Sequence, residues 1–394
     1  MSKKLNGRKE GICMNMIHLA DLHIGRYFNG ISLLEDQKEV LKSILKTIAT
    51  QKPDVVIVAG DIYDRSIPRE DAVEVCDWFF TELVKLGNQN ILITGNHDSH
   101  QRVGFLNSLL EERGLMVEHQ VKKPLRCITL KDEFGPVDFY LLPYRDTANL
   151  KTIYGLETLK DDTEIYKTIF EESIKKNDHR KVLIYHGFVA GSSKEEMVES
   201  ESERTLSVGG HDFIKIDAFK DFDYVALGHL HKPQWVVPGK IRYSGSPLKY
   251  SFSEEKHEKS ISLVNLDKAG SVTVEEIPLT SKRDVVTIEG TFSEMMNMDY
   301  TGNQEDYLRV VLRDTEEILE PMMRLRSRFP NILELQRKRD EEEILKNYSE
   351  YKILDNKDMA SLFKDFYKLK NEEDMTTEQL DYVKKLSFSI EGGE

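Results

Sequence analysis

The chain has little cysteine. Cys13, Cys76 and Cys127 are widely spaced among 394 residues and form no Cys-x-x-Cys pair. That argues against a disulfide framework and a thiolate zinc site, and for a reducing compartment. No apolar run approaches the roughly 18 residues needed to span a bilayer. The basic start (Lys3, Lys4, Arg8, Lys9) has no apolar stretch behind it before Asp21, so it does not read as a signal peptide. Residues 1–15 are expected to be an extension without a structural role, and the protein is expected in the cytoplasm. Internal repeats and low-complexity tracts are absent. Positive charge is in deficit: 55 basic against 69 acidic residues leave −14, which argues against coating nucleic acid by bulk charge. What is present fits a soluble globular protein of two or three domains, 39 % hydrophobic and 31 % charged.

Residues 16–20 read as a short buried strand ending at Asp21. Apolar positions at Leu33, Leu34, Val40, Leu41, Ile44, Leu45 and Ile48 predict a helix over 31–50, which Pro53 breaks. Residues 54–59 form an apolar strand ending at Gly60-Asp61. A helix over 69–86 and a strand over 91–93, ending at Gly95-Asn96-His97-Asp98, follow. Further strands are predicted at 137–142, 181–185, 224–227, 241–244 and 260–266, with a helix near 162–176. Fully apolar strands alternating with helices indicate α/β layering around a buried, largely parallel sheet. A boundary near 278–284 precedes a small β-α-β-α-β unit. Its strands are 285–289, 307–312 and 332–336, with a short helix capped by Thr291 or Ser293 and a second helix over 316–328. From Asp340 onward the chain is charged and helical.

Polar residues of one kind stand where strands end. Asp21 and His23 follow the first strand, Asp61 the second, Asn96 and His97 the third, and His186, His229 and His231 two later ones. Ligands gather at the carboxyl ends of strands in open α/β sheets. Nitrogen and oxygen ligands without thiolate suit Mn²⁺, Fe²⁺, Co²⁺ or Zn²⁺ and disfavour Ca²⁺. Eight such side chains exceed one catalytic ion. They fit two ions roughly 3.5–4 Å apart sharing a carboxylate, as used in phosphoryl displacement. Gly60, Gly95, Gly187 and Gly228 flank them, where the chain must turn sharply. His18, His100, His119, His179, His211 and His257 lack this context and read as core or surface.

The order D-x-H, G-D-x-x-D, G-N-H-D, H-G, G-H-x-H resembles the calcineurin-like metallophosphoesterase superfamily. The strings at 20–25, 59–64, 94–99, 226–234 and 243–248 are similar to the SbcD family of bacterial DNA nuclease subunits. The resemblance is strong over about residues 16–270 and looser beyond. It implies an α/β metallophosphoesterase sandwich of two β-sheets flanked by helices, with a small α/β capping domain and a helical C-terminal segment. The divisions would be an extension at 1–15, a nuclease domain at 16–278, the cap at 279–339 and a partner-binding segment at 340–394. It implies two divalent metal ions, Mn²⁺ foremost. Asp21, His23, Asp61 and His231 would hold one, and Asp61, Asn96, His186 and His229 the other. His97 would stabilise the transition state or protonate the leaving oxygen, oriented by Asp98. The activity implied is Mn²⁺-dependent 3′→5′ exonuclease action on duplex DNA ends and endonuclease action on hairpins and single strands. It would serve DNA repair, replication and recombination, in a heterotetramer with the ABC-type ATPase SbcC. Asp64 stands where many relatives carry a second histidine, and it is given no catalytic role. The alternative is a phosphatase or phosphodiesterase acting on small molecules or phosphoproteins. The capping-like unit and the acidic tail argue against it.

Val75, Trp78, Phe79, Phe105, Leu106, Leu109 and Leu110, on helices 69–86 and 101–113, read either as core or, given the resemblance, as a homodimer surface. In the small unit Arg309, Arg313, Arg324, Arg326, Arg328, Arg337, Lys338 and Arg339 fit either a solvated face or phosphate contact. Arg324 and Arg328 would share a helix face. Residues 340–394 carry 15 acidic and 8 basic residues with amphipathic stretches. They read as a segment docking on SbcC or as a helix packed back on the body. Half of the acidic excess therefore lies in this tail, and two divalent ions would offset part of the rest.

Overall fold

The computed structural model describes residues 14–191, 193, 197–203, 213–338, 363–364, 367–368 and 374–391. Of the expected extension, residues 1–13 lie outside the described residues, as does most of the tail from 340. Its last two residues are corrected: Met14 and Asn15 open the first strand, Met14–Leu19, pairing with Leu266 and Asn265, because the Met14 side chain is buried in the core between the sheets. The chain divides into two compact units. One holds residues up to 288 with 298–310 and 320–335, and the other holds 289–297, 311–319 and 336–394.

In the first unit the apolar strands build two six-stranded sheets. One sheet runs Val272–Pro278, Ser260–Leu266, Met14–Leu19, Val55–Ala59, Gln89–Ile93, Leu115–Glu118. The other runs Gln234–Val237, Ile241–Tyr243, Tyr224–Gly228, Arg180–His186, Gly135–Leu142, Arg126–Asp132. The central pairings are parallel, and so is Gln89–Ile93 with Leu115–Glu118 at one edge; Ser260–Leu266 pairs antiparallel with both its neighbours, and the two outer pairs of the second sheet are antiparallel. The run Val55–Ala59 is apolar throughout because both its faces are buried. Val55, Ile57 and Ala59 meet Phe139, Val182, Ile184 and Ala226 between the sheets. Val56 and Val58 point outward against helices Leu34–Gln51 and Glu70–Lys85. The second sheet is covered likewise by helices Thr147–Tyr154 and Asp162–Ser173.

The differences from the expected elements are local. The first helix starts at Leu34, because Asn29-Gly30, both at positive φ, turn Tyr27–Phe28 back onto Ile31–Ser32. The helix expected over 101–113 is two short ones, His100–Val103 and Asn107–Glu111, broken where Leu106 takes φ 59°. The helix expected over 316–328 is only Pro321–Arg326, with proline at its start. Strands Leu115–Glu118, Arg126–Asp132, Gln234–Val237 and Val272–Pro278 lie at sheet edges, where a short or half-exposed strand leaves little apolar signal. Three further strands, Val285–Gly290, Tyr307–Leu312 and Ile332–Arg337, form the expected small sheet in that order.

In the second unit, Thr291 caps helix Phe292–Asn297 through a reciprocal pair with Glu294. Thr376 and Gln379 do the same for helix Thr377–Glu391. Among the described residues no helix is long and apolar enough to cross a membrane.

Candidate metal centre

Every predicted site residue leaves a strand at its carboxyl end, and all of them converge. Asp21, His23, Asp61 and His229 have φ of 54°, 43°, 51° and 113°. This left-handed backbone costs a non-glycine residue of order 1–3 kcal/mol, and it persists only where its surroundings impose it. Here the loops are stitched together. The Asp21 amide donates to the Gly60 carbonyl (3.1 Å) and the His23 amide to that of Asp61 (3.0 Å). Gln37, a polar residue on the apolar stripe of the first helix, donates to the carbonyls of Leu22 and His23 and accepts from the Gly25 amide. Gly60 has φ 89°, and a Cβ there would lie 2.3 Å from His186 Nδ1.

Among the described residues, three groupings offer ligand atoms mutually within 4.8 Å: Asp21 with His23 and His231, His23 with Asp61 and His97, and Asp21 with Asp61 and His186. Asp61 is central. Its Oδ2 lies 3.5 Å from both His23 Nε2 and His186 Nε2, while its Oδ1 accepts the His97 amide at 2.9 Å. Asn96 Oδ1 is 2.8 Å from His186 Nε2. His229 falls in none of the three groupings. Its amide donates to Asp21 Oδ1 (2.9 Å), and its ring centroid is 5.6 Å from that of His186.

Hydrogen bonding assigns the ring protons. A carbonyl only accepts, so His186 Nδ1, 2.8 Å from the Ala59 carbonyl, carries the hydrogen and its Nε2 is a bare lone pair. The same holds for His97, whose Nδ1 lies 2.7 Å from the Asp64 carbonyl. Bare nitrogens therefore face carboxylate and amide oxygens. His23 Nε2 and His231 Nε2 lie only 3.1 Å apart, and among the described residues Asp21 Oδ2 and His23 Nδ1 have no hydrogen-bond partner. Converging acceptors with orphaned buried atoms are what a divalent cation would satisfy. The donor set fits the implied metal.

Burial, and then neighbouring Asp61, raises the Asp21 carboxyl well above its ordinary range and lifts Asp98 to about 6. Burial holds His186 down at about 4. Burial, and then the facing His97 and His231 rings, holds His23 well below its usual value. Neutral imidazoles beside strained carboxylates form a site that protons suit poorly and a cation suits well.

The expected orientation of His97 by Asp98 is corrected. The Asp98 carboxylate accepts the amides of Ile62, Tyr63 and Gly95, so it joins two motif loops, and the His97 ring is held from residue 64. Asp64 itself is buried and ion-paired to Arg26 at 2.7 Å. The sequence pattern missed a further layer around the ligands. His231 Nδ1 lies 2.7 Å from Ser202 Oγ and 3.2 Å from Glu254 Oε1, and Lys259 Nζ pairs with Glu254 Oε2 at 2.5 Å. Burial raises the Glu254 carboxyl, but Lys259 and His231 outweigh it and keep the group well below the usual carboxylate value. No spacing signal could have found Glu254, because Ser202 and His231, which tie it to the site, lie 52 and 23 residues away.

Away from the centre, Val75 and Phe79 are core, whereas Phe105, Leu106 and Leu109 are 71 %, 54 % and 56 % exposed. Arg328 lies beyond the end of its helix and does not share a face with Arg324; it contacts Gln304 and the Met298 carbonyl. Arg309 is bound to Thr287, and Arg313 and Lys338 pair with Glu289. Arg339 lies outside the described residues.

The calcineurin-like phosphoesterase family matches residues 14–233, and the family described as type 5 capsule protein repressor C-terminal domain matches 281–371. The SbcD component of nuclease SbcCD from Staphylococcus saprophyticus is 30 % identical over 379 residues, covering 96 % of this chain and 98 % of its own. Its counterpart from Staphylococcus epidermidis is 29 % identical over 383 residues, covering 96 % and 99 %. A solved dimetal phosphatase from Danio rerio is similar at 12 % identity over 68 % of this chain and 99 % of its own, with a TM-score of 0.38.

Proposed function

This chain belongs to the calcineurin-like phosphoesterase family and, within it, to the SbcD family of SbcCD nucleases; on that premise we propose that it is the nuclease component of an SbcCD-type complex. It would hydrolyse DNA phosphodiesters with divalent metal, Mn²⁺ foremost. The observation that carries this reading is the convergence of bare imidazole nitrogens on Asp21 and Asp61 at the strand ends.

Asp21, His23, Asp61 and His231 would hold one ion, and Asp61, Asn96, His186 and His229 the other. Bound there, divalent ions supply positive charge to the phosphodiester and a water of lowered pKa. The protein's own groups do the rest. With its Oδ1 occupied by the His97 amide, Asp61 offers Oδ2 to both sides. His97 keeps one proton on Nδ1 toward Asp64, so Nε2 is the atom aimed inward. Protonated there, it donates to the departing oxygen. Asp98 acts by fixing the 60–63 and 95–98 loops.

The predicted activities are 3′→5′ exonuclease on duplex ends and endonuclease on hairpins. The predicted setting is cytoplasmic DNA repair, replication and recombination, in a heterotetramer with SbcC. In this reading residues 16–278 form the nuclease domain, 279–339 guide DNA as a cap, 340–394 dock on SbcC, and the exposed Phe105–Leu109 face pairs two copies. The test is cleavage of end-labelled duplex and hairpin DNA by the purified chain, with and without Mn²⁺, beside His97→Ala. Equal cleavage by both proteins would remove His97 from its role, and no cleavage under any divalent metal, with SbcC added, would remove the reading itself.

A further inference from the structure

We propose that Glu254, acting through Ser202, is a positioning residue that fixes the tautomer of His231 so that Nε2 faces the metal centre. The inference rests on the metal-site reading above. Ser202 Oγ makes a short hydrogen bond to Glu254 Oε1 and lies 2.7 Å from His231 Nδ1. Glu254 is fully buried and, as a carboxylate, can only accept. The single Ser202 hydroxyl proton therefore points at Glu254. Ser202 Oγ can then only accept from His231, which places the ring hydrogen on Nδ1 and leaves Nε2 bare, 3.1 Å from His23 Nε2. Where the hydroxyl is bypassed, Glu254 Oε1 itself sits 3.2 Å from Nδ1 and demands the same hydrogen.

Lys259 sets the direction of this relay. Its buried ammonium donates to Glu254 Oε2 (2.5 Å), Ser246 Oγ (2.8 Å) and the His231 carbonyl (2.9 Å). It therefore grips both the carboxylate and the backbone of the ligand that the carboxylate orients. Glu203 adds a contact from the same loop as Ser202, accepting the His231 amide at 2.6 Å. Partners of this kind around a metal-ligating histidine typically account for 10–100-fold in metal affinity.

The chemistry makes Glu254→Gln an inverting substitution. Lys259 requires an acceptor, so the new amide turns its oxygen to the ammonium and its NH₂ to Ser202. The serine proton is then free to point at His231 Nδ1, and the ring hydrogen moves to Nε2, where it blocks a ligand position. The experiment uses the full chain labelled with ¹⁵N at histidine and stripped of metal by chelation. Imidazole ¹H–¹⁵N correlation spectra report the tautomer, and His231→Gln assigns the signal. The wild type should show the Nδ1–H form and Glu254→Gln the Nε2–H form. Mn²⁺ alone, followed by the paramagnetic resonance of the free ion, should bind Glu254→Gln 10–100-fold more weakly.

If burial of a lone ammonium unfolds that variant, Glu254→Gln/Lys259→Met removes it. With no cation to dictate the amide direction, the double variant should show both tautomers. An Nε2–H wild type, or a folded Glu254→Gln that keeps the Nδ1–H form, overturns the proposal. The tautomer needs neither metal nor DNA. An Nδ1–H wild type that binds no Mn²⁺ therefore supports the relay while refuting the metal reading.

Discussion

Asp61→Asn should pull stability and metal affinity in opposite directions. The asparagine keeps an oxygen for the His97 amide but removes the charge that sits 3.5 Å from both His23 and His186. Without metal, that charge opposes two buried carboxyls. Asp98 is lifted from 3.8 to about 6 by burial first and Asp61 second, and Asp21 is raised by the same two causes in the same order. At about 1.36 kcal/mol per pKa step, the Asp98 displacement is worth roughly 3 kcal/mol, of which Asp61 supplies the smaller part. Relief at both carboxyls should stabilise the metal-free protein by about 1–2 kcal/mol, a rise of a few degrees in Tm for a unit of this size. With metal the sign reverses. A unit charge about 4 Å from a cation in an effective dielectric near 20 is worth roughly 4 kcal/mol, or about 10³-fold in affinity. Thermal unfolding in chelator and a calorimetric Mn²⁺ titration read the two effects on one sample. A folded variant that melts below the wild type in chelator, or that binds Mn²⁺ as tightly, would refute the reasoning.

His97→Ala should lower DNA cleavage by about 10²–10⁴-fold while Mn²⁺ affinity stays within a few-fold, as kinetics and titration on the same preparation will report. Burial, then Arg242, holds the core His18 ring at about 3 against 6.5 when unfolded. The unfolded chain therefore takes up a proton that the native state refuses, and this stability is lost as pH falls from about 6.5 toward 3. In His18→Gln the decline should be shallower by up to about 1.4 kcal/mol per pH unit in urea titrations between pH 6.5 and 4.5, and parallel lines would contradict the burial argument. Gly60→Ala should cost more than about 2 kcal/mol and weaken metal binding, because its Cβ would meet His186 Nδ1 at 2.3 Å from a backbone at φ 89°; an unchanged melting temperature would discount the close approach. Phe105→Ser/Leu109→Ser should shift the chain to monomer in light scattering without changing Tm, since both side chains are more than half exposed; a persistent dimer would move the interface elsewhere.

The layering and the residue types that gather at the strand ends were legible in the sequence alone. A strand buried on both faces must be apolar throughout, so Val55–Ala59 stands out from its surroundings. The polar residue ending each such strand, Asp21, Asp61, Asn96, His186 or His229, is conspicuous by contrast. Capping also reads locally, as Thr291 shows. Edge strands such as Val272–Pro278 escaped, because half-exposed residues carry no such contrast.

Which atom of each site histidine faces inward is decided in three dimensions alone. It depends on hydrogen-bond partners remote in the chain: the Ala59 carbonyl under His186, the Asp64 carbonyl under His97, and Ser202 with Glu254 under His231. The packing of the loops also reassigned Asp98 from the His97 ring to three backbone amides. A histidine in a motif specifies an imidazole, but its tautomer is set by whichever acceptor the fold brings to the other nitrogen. That acceptor can lie more than a hundred residues away, as Ala59 does from His186, where no local pattern records it.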